Sequence, residues 1–334
     1  MKQYFLILLV GTLVLSACRK DEIDKFDGPS LTDIYGEFSV FTTFDVSLDS
    51  VNFTTGETVY FTAQFSKSVD WKIKITGQTS GAIKVLTGFG SSISQSTSTW
   101  IGEITEFPIF KNEICDVELS FLNEPDVFID QVKIIGTKTN AGFLISDFES
   151  GFNAGWTTFV QSGADMDFQI KTDAFAPENN SYFNMAGTVD WDYLIGYVYF
   201  KASAYGAPHY PLSSNPNNEY FNIMLYGEPG TTNSIMLFQF TEDEDGNGGH
   251  STASEDMYSQ EILVNWEGWR LISLKYSDIP CLVNGQPAAP NGNGVHNSDK
   301  ITSVNMLHLA NPASGFAKSK IDYMIFTQNG PLKP

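Results

Sequence analysis

The feature that most constrains this chain is a period of two. Val59, Phe61, Ala63 and Phe65 alternate with polar residues, as do Trp71, Ile73 and Ile75, then Val117, Leu119 and Phe121, and finally Val132 and Ile134. Such alternation gives an extended strand one apolar face and one wet face. Turn residues separate the runs at Thr55-Gly56, Thr76-Gly77, Gly88 to Ser92 and Asn123 to Asp126. Long amphipathic helical patterns are missing, so the chain is expected to be all-β. Short strands of this kind over residues 35–138 predict an immunoglobulin-like β-sandwich, with Trp71 as the buried aromatic of its central strand.

Thr139-Asn-Ala-Gly142 breaks that pattern. From 139 to 334, aromatic-rich runs alternate with long Gly, Asn and Pro loops. Strands are expected in nine runs: 143–148, 168–172, 181–186, 195–202, 220–226, 234–240, 270–275, 303–309 and 320–327. Runs of this number and spacing suggest a two-sheet jelly roll.

Charge narrows the partners. The chain has 39 acidic and 19 basic residues, a formal net charge of −20, and only two arginines, Arg19 and Arg270. Nucleic acid is excluded as a partner, because a phosphate backbone needs a Lys/Arg surface. Acidic polysaccharides are disfavoured for the same reason, whereas neutral glycans and cations fit.

Residues 1–17 carry Lys2, an apolar run from Tyr4 to Leu15, and small residues Ser16 and Ala17 before Cys18. This is the pattern of a secretory signal peptide. The ending Leu15-Ser16-Ala17-Cys18 resembles the bacterial lipoprotein signal, which implies that Cys18 is acylated and anchors the mature chain in a membrane. Residues 18–34 read as a polar tether. Its Arg19-Lys20-Asp21-Glu22 resembles the surface-export signal of lipoproteins in bacterial polysaccharide-utilisation systems, implying an outer-membrane protein facing the exterior. The other cysteines, Cys115 and Cys281, fall in separate halves and imply no disulfide framework.

The stretch 238–269 holds Glu242, Asp243, Glu244, Asp245, Glu255 and Asp256, and no Lys or Arg occurs between Lys201 and Arg270. Asp243, Asp245 and Asn247 alternate and are followed by Gly248, as in the first half of a calcium loop. The twelfth position is Ser254, and Glu255 comes one residue late. Calcium (Ca2+) on Asp243, Asp245, Asn247 and Glu255 is therefore one expectation, and a solvated acidic hairpin tip is the other.

Three further segments, Ser146-Asp-Phe-Glu-Ser-Gly151, Trp266-Glu-Gly-Trp269 through Asp278, and Ile321-Asp-Tyr-Met-Ile-Phe-Thr327, resemble carbohydrate-binding modules of the galactose-binding-like jelly-roll type. They also resemble the C-terminal domain of surface glycan-binding lipoproteins from starch-utilisation-type systems. The resemblance implies a structural calcium between the first and last strands, with Asp147, Glu149 and Asp322 as ligands. It also implies that 35–138 is a spacer, and that the partners are an outer-membrane importer and its substrate-capturing lipoprotein.

Sugar recognition needs flat apolar rings and polar groups for hydroxyls. Trp191, set among Asp190, Asp192 and Tyr193, is the first choice of platform. Tyr205, His209 and Tyr210, in the long loop 204–220, are the second. No G-x-S-x-G, H-E-x-x-H, Walker or C-x-x-C motif occurs, and only unplaced acids such as Glu219, Glu228 and Asp190 could serve glycoside cleavage. The expectation is a non-enzymatic lipoprotein that binds a neutral polysaccharide or oligosaccharide. The rivals are a structural or adhesive calcium-binding surface lipoprotein and a jelly-roll glycoside hydrolase or lyase.

Overall fold

The computed structural model describes residues 36–189, 194–231, 234–283, 285–310 and 315–334, and strands dominate it throughout. The first six are β1 (Val40–Val46), β2 (Ser50–Asn52), β3 (Phe61–Gly77), β4 (Ile83–Ile93), β5 (Ile114–Phe121) and β6 (Glu124–Gly136). They pair only with one another, in the order β1-β3-β5-β6-β2 with β4 also on β3. This is one continuous hydrogen-bonded sheet where two separate sheets were expected. The reason lies in β3, whose 17 residues serve both layers. Its start pairs with β1 and its end with β5, and its register against β4 breaks between Gln64 and Val69. The bent sheet closes over a core of Phe61, Phe65, Trp71, Trp100 and Phe121. Trp71 is buried there, as the alternation requires. Cys115 is also buried, and burial pushes its thiol far up.

The remaining strands are β7 (Phe143–Ser146), β8 (Thr157–Val160), β9 (Asp165–Thr172), β10 (Ser181–Thr188), β11 (Leu194–Lys201), β12 (Glu219–Gly227), β13 (Ser234–Glu242), β14 (Met257–Val264), β15 (Gly268–Lys275), a small hairpin β16 (Leu282–Val283) and β17 (Gln286–Pro287), β18 (Ile301–Ala310) and β19 (Phe316–Gln328). Two sheets face each other. One runs β15-β12-β19-β10-β9 with β7 on β19, and the other runs β14-β13-β18-β11-β8. Phe183, Phe200, Phe221, Phe238, Phe240 and Phe326 fill the space between them. All nine predicted runs are strands. Four strands escaped notice: β16 and β17 are two residues each, β8 is exposed along its length at a sheet edge, and β14 follows directly on the acidic stretch.

The two sheets differ on their outer faces. In β12 and β19 nearly every residue is buried, with no alternation, which means cover on both sides. The cover comes from the first module and the chain end. Phe107, Ile109 and Leu332 pack on Met224, Tyr323 and Ile325, and the Ile104 N–H donates to the Pro334 carbonyl at 3.0 Å. The five-stranded sheet keeps its alternation in β11 and β13. Among the described residues its outer face is open.

Candidate functional site

That open face is built by register. On β11, Val198 and Phe200 point into the core, which leaves Tyr197, Tyr199 and Lys201 outside. Tyr199 lies opposite Asn305 of β18, and Asn305 lies opposite Gln239 of β13. One step along, Lys201 faces Ser303, and Ser303 faces Thr241. On the other side of this row, Tyr197 pairs with Phe159 of β8. The three rings stack in a file: Phe159 on Tyr197 at 4.8 Å between centroids, and Tyr197 on Tyr199 at 4.3 Å with only 11° between planes.

Tyr199 ends the file at the wall of a cleft of about 610 Å³. Lys201, Gln239, Thr241, Ser303 and Asn305 form its floor, and Gly248, Gly249, His250 and Pro208 contribute to its rim. Thr241 Oγ1 lies 2.7 Å from Ser303 Oγ, and Ser303 Oγ donates to Asn305 Oδ1 at 2.8 Å. Burial, followed by the neighbouring Tyr197 hydroxyl, pushes the Tyr199 phenol up to about 12, so it remains a neutral donor. A ring face beside a row of amides and hydroxyls can take the C–H face of a pyranose and its hydroxyls.

None of the described residues expected from the sequence to contact sugar, Tyr205, His209 and Tyr210, lines this cleft. Asp190, Trp191 and Tyr193 lie outside the described residues, as does Cys18. Tyr210 is a core residue: it is 2 % exposed, packs against Phe143 and Phe326, and donates its hydroxyl to the Phe200 carbonyl at 2.7 Å. It has no free face for a sugar. Tyr205 is half-buried, with its ring edge-on to Phe143 and its hydroxyl donating to the Ile145 carbonyl. His209 leaves the loop to meet Asp243, with Nε2 2.9 Å from Oδ2. The Pro-rich loop thus packs its aromatics inward and lends the cleft only Pro208. The signal for the actual face was Tyr197-Val-Tyr199-Phe-Lys201, in which the second face of a strand carries tyrosines and a lysine.

The acidic stretch folds as expected in one respect. Gly246 and Gly248 take positive φ, 75° and 91°, and carboxylate oxygens of Asp243, Asp245 and Glu255 converge to within 4.8 Å of one another. Glu242, Glu244 and Asp256 form a second group of the same kind, which the calcium-loop pattern did not predict. Both groups are wrapped in donors. Asp243 accepts from the N–H groups of Asn247 and Gly248, and Glu255 accepts from those of Glu244, Asp245 and Ser251. Asp256 accepts from the N–H groups of Gly292 and Gly294, and Glu242 from Tyr276 Oη and the Asn297 N–H. Asn247 turns its own amide to Asp245. No buried oxygen of these six acids lacks a donor. Burial works against ionised Asp243, but His209 and the loop amides outweigh it and hold its carboxyl below the usual range.

The other carboxylates differ in kind. Asp147, Glu149 and Asp322 are joined by Glu178, which no sequence motif marked. Asp322 is 0 % exposed and Glu178 is 8 % exposed, and Asp322 Oδ2 and Glu178 Oε2 have no partner. Burial pushes the Glu178 carboxyl up to about 8, with Asp147 and Glu149 adding to the push and Lys111 of the first module opposing it. Burial, then Glu178, drives Asp322 well above the carboxylate range. Phe148, Asn179 and Tyr323, each adjacent in sequence to one of these acids, take positive φ of 57°, 37° and 45°. Left-handed backbone costs an L-residue roughly 1–2 kcal/mol, so three turns here hold strain around unpaired oxygens. Hard oxygens of this sort can hold a divalent cation, although these acids, unlike the two loop groups, do not bring three ligand oxygens within 4.8 Å of one another.

No protein-family model matches the chain, and no curated protein matches it. Among solved structures, it is similar to the family 11 carbohydrate-binding module from Clostridium thermocellum in complex with a β-1,3-1,4-mixed-linked tetrasaccharide, at 18 % identity over 59 % of this chain and 100 % of that one, with a TM-score of 0.40. It is also similar to a family 28 module specific for non-crystalline cellulose (13 % identity, 56 % and 95 % covered, TM-score 0.34). A third is the CBM22-1 xylan-binding domain of Paenibacillus barcinonensis Xyn10C (13 % identity, 57 % and 97 % covered, TM-score 0.32). At these identities and scores the likeness carries no argument about ligand, which rests on the cleft itself.

Proposed function

We propose that this protein binds a polysaccharide on the open face of its C-terminal sandwich and holds it without cleaving it. The observation that carries this reading is the file Phe159-Tyr197-Tyr199 ending at a cleft floored by Lys201, Gln239 and Asn305. Of the acids considered for cleavage, Glu228 is tied to Lys318 and Lys320, and Glu219 is buried and accepts from the Ser213 N–H. Anchoring through acylated Cys18 at the outer membrane, with the first module as spacer and an importer with its capturing lipoprotein as partners, is the cellular setting we propose. It is supported by the Leu15-Ser-Ala-Cys18 and Arg19-Lys-Asp-Glu22 segments.

Calcium belongs to the same proposal, at Asp147, Glu149, Glu178 and Asp322, where it would answer the unpartnered oxygens and lock the three turns. The acidic loop 242–256 is closed by its own amides. Affinity electrophoresis through soluble polysaccharides tests the binding reading. Retardation of the wild type is expected, and Tyr199→Ala should weaken it at least about tenfold, or about 1.4 kcal/mol. Retention undiminished in Tyr199→Ala would refute this site.

A further inference from the structure

The donor and acceptor balance of the cleft says more about the ligand. Among the described residues Lys201 is the one Lys or Arg that lines it, and no Asp or Glu does, although the chain carries 39 acids. Among the described residues Lys201 makes no ion pair. Lys171, Lys275, Lys318 and Lys320 of the same sandwich each reach a carboxylate within 4.0 Å, whereas Lys300 and Lys333, like Lys201, do not. The nearby acids of the 242–256 loop do not serve it. Asp243 and Glu255 are buried and turned onto loop amides and His209. Two of the floor's polar groups are already engaged: Asn305 Oδ1 accepts from Ser303, and the Thr241 hydroxyl bonds with Thr302 and Ser303. What remains is the Lys201 ammonium beside the Gln239 amide and hydroxyls, which can donate or accept. Neutral sugar hydroxyls both donate and accept, whereas a carboxylate or sulfate only accepts and pairs with an ammonium through charge-assisted bonds.

We infer that the cleft takes a glycan bearing an anionic substituent, a uronate carboxylate or a sulfate ester, seated on Lys201 with its ring against Tyr199. This rests on the glycan-binding reading above and replaces the neutral ligand expected from the scarcity of arginine. Net charge governs long-range approach, which salt screens over about 10 Å at 0.1 M. The contact itself is governed by the half-buried Lys201 in a cleft that no described carboxylate lines.

The test measures the affinity of the mature chain for polygalacturonate, alginate and glucuronoxylan, each beside its carboxyl-reduced form, and for a carrageenan beside its desulfated form. Wild type, Lys201→Gln and Tyr199→Ala are compared after confirming equal melting temperatures for the first two. Binding to an acidic polymer is expected to fall at least about tenfold on removal of the anion and by a similar factor in Lys201→Gln; that tenfold is about 1.4 kcal/mol. The responding pair, carboxyl-reduced or desulfated, identifies the source of the charge. If a neutral polymer is bound and Lys201→Gln leaves its affinity unchanged, this inference falls while the glycan-binding reading stands. Acidic polymer bound equally by Lys201→Gln overturns it too. Failure to bind any polymer, acidic or neutral, overturns both.

Discussion

The loop from Glu242 to Asp256 and the seam at Asp147, Glu149, Glu178 and Asp322 both crowd carboxylates together, yet they meet the cost in opposite ways. The loop brings its charges to main-chain amides: Asp243, Glu255 and Asp256 each accept from two or three N–H groups. The seam buries Asp322 and Glu178 with an oxygen apiece unpaired. A buried carboxylate needs donors, a proton or a cation. The difference teaches that crowded acids can be met either by main-chain amides or left with unpaired buried oxygens, and that acid count alone does not distinguish the two.

The strongest way to break this contrast is chelation. Calcium at a hundredfold excess over Kd stabilises a site by about 2.7 kcal/mol, and a domain of this size shifts by about 2–4 °C per kcal/mol. Chelator should therefore lower the melting temperature by roughly 5–10 °C, and scanning calorimetry should show Asp322→Asn insensitive to added calcium. Asp243→Ala combined with Asp245→Ala should lower the melting temperature yet keep the calcium response. If the response instead disappears with the loop pair, the assignment is reversed.

Acidity sharpens it next. The Glu178 carboxyl rises from 4.5 to about 8, so without calcium the folded chain keeps a proton that the unfolded chain releases near 4.5. Calcium-free stability should then fall as pH rises from about 4.5 to about 8. Glu242, pushed up to about 7 by burial, adds a slope of the same sign that ends lower. Urea midpoints at pH 7 and 8 isolate the seam: the remaining fall should become shallower in Glu178→Gln, the rest being carried by the raised Asp322 carboxyl, and reverse with calcium, which favours the ionised acids. An unchanged slope in Glu178→Gln would count against the seam.

The smallest effect is a control. His308 is fully buried with both ring nitrogens unpaired, and burial drives its imidazole down to about 3. It lacks the acidic company of the seam. His308→Leu should stabilise the chain by about 1 kcal/mol, since an unsatisfied polar group is removed, in calcium and in chelator alike. A loss of stability would show that His308 has a partner.

Much of this fold is legible in the residues, because period-two runs such as Val117, Leu119 and Phe121 report one buried face directly. The continuous burial of β12 and β19 is legible only once Phe107 and Ile109 are known to cover that sheet, since cover from a distant segment leaves no local mark. The site was harder for a related reason. Tyr210 and Tyr199 are chemically alike, and only the partner on the far side, Phe326 for one and open cleft for the other, decides which is core. Tyr197, Tyr199 and Lys201 do share one face of a strand, a pattern readable in advance. Glu178 carried no such sign, because its role depends on acids far away in sequence.

The seam of Phe107, Ile109 and Leu332 against the six-stranded sheet has a mechanical meaning. The first module grips one side of the sandwich and the cleft occupies the other. A load applied by a long polymer would therefore cross the full thickness of the aromatic core before it reached the first module. With apolar packing rather than a lone flexible segment at the junction, the two modules would move as a single strut, its gripping surface turned away from its stem.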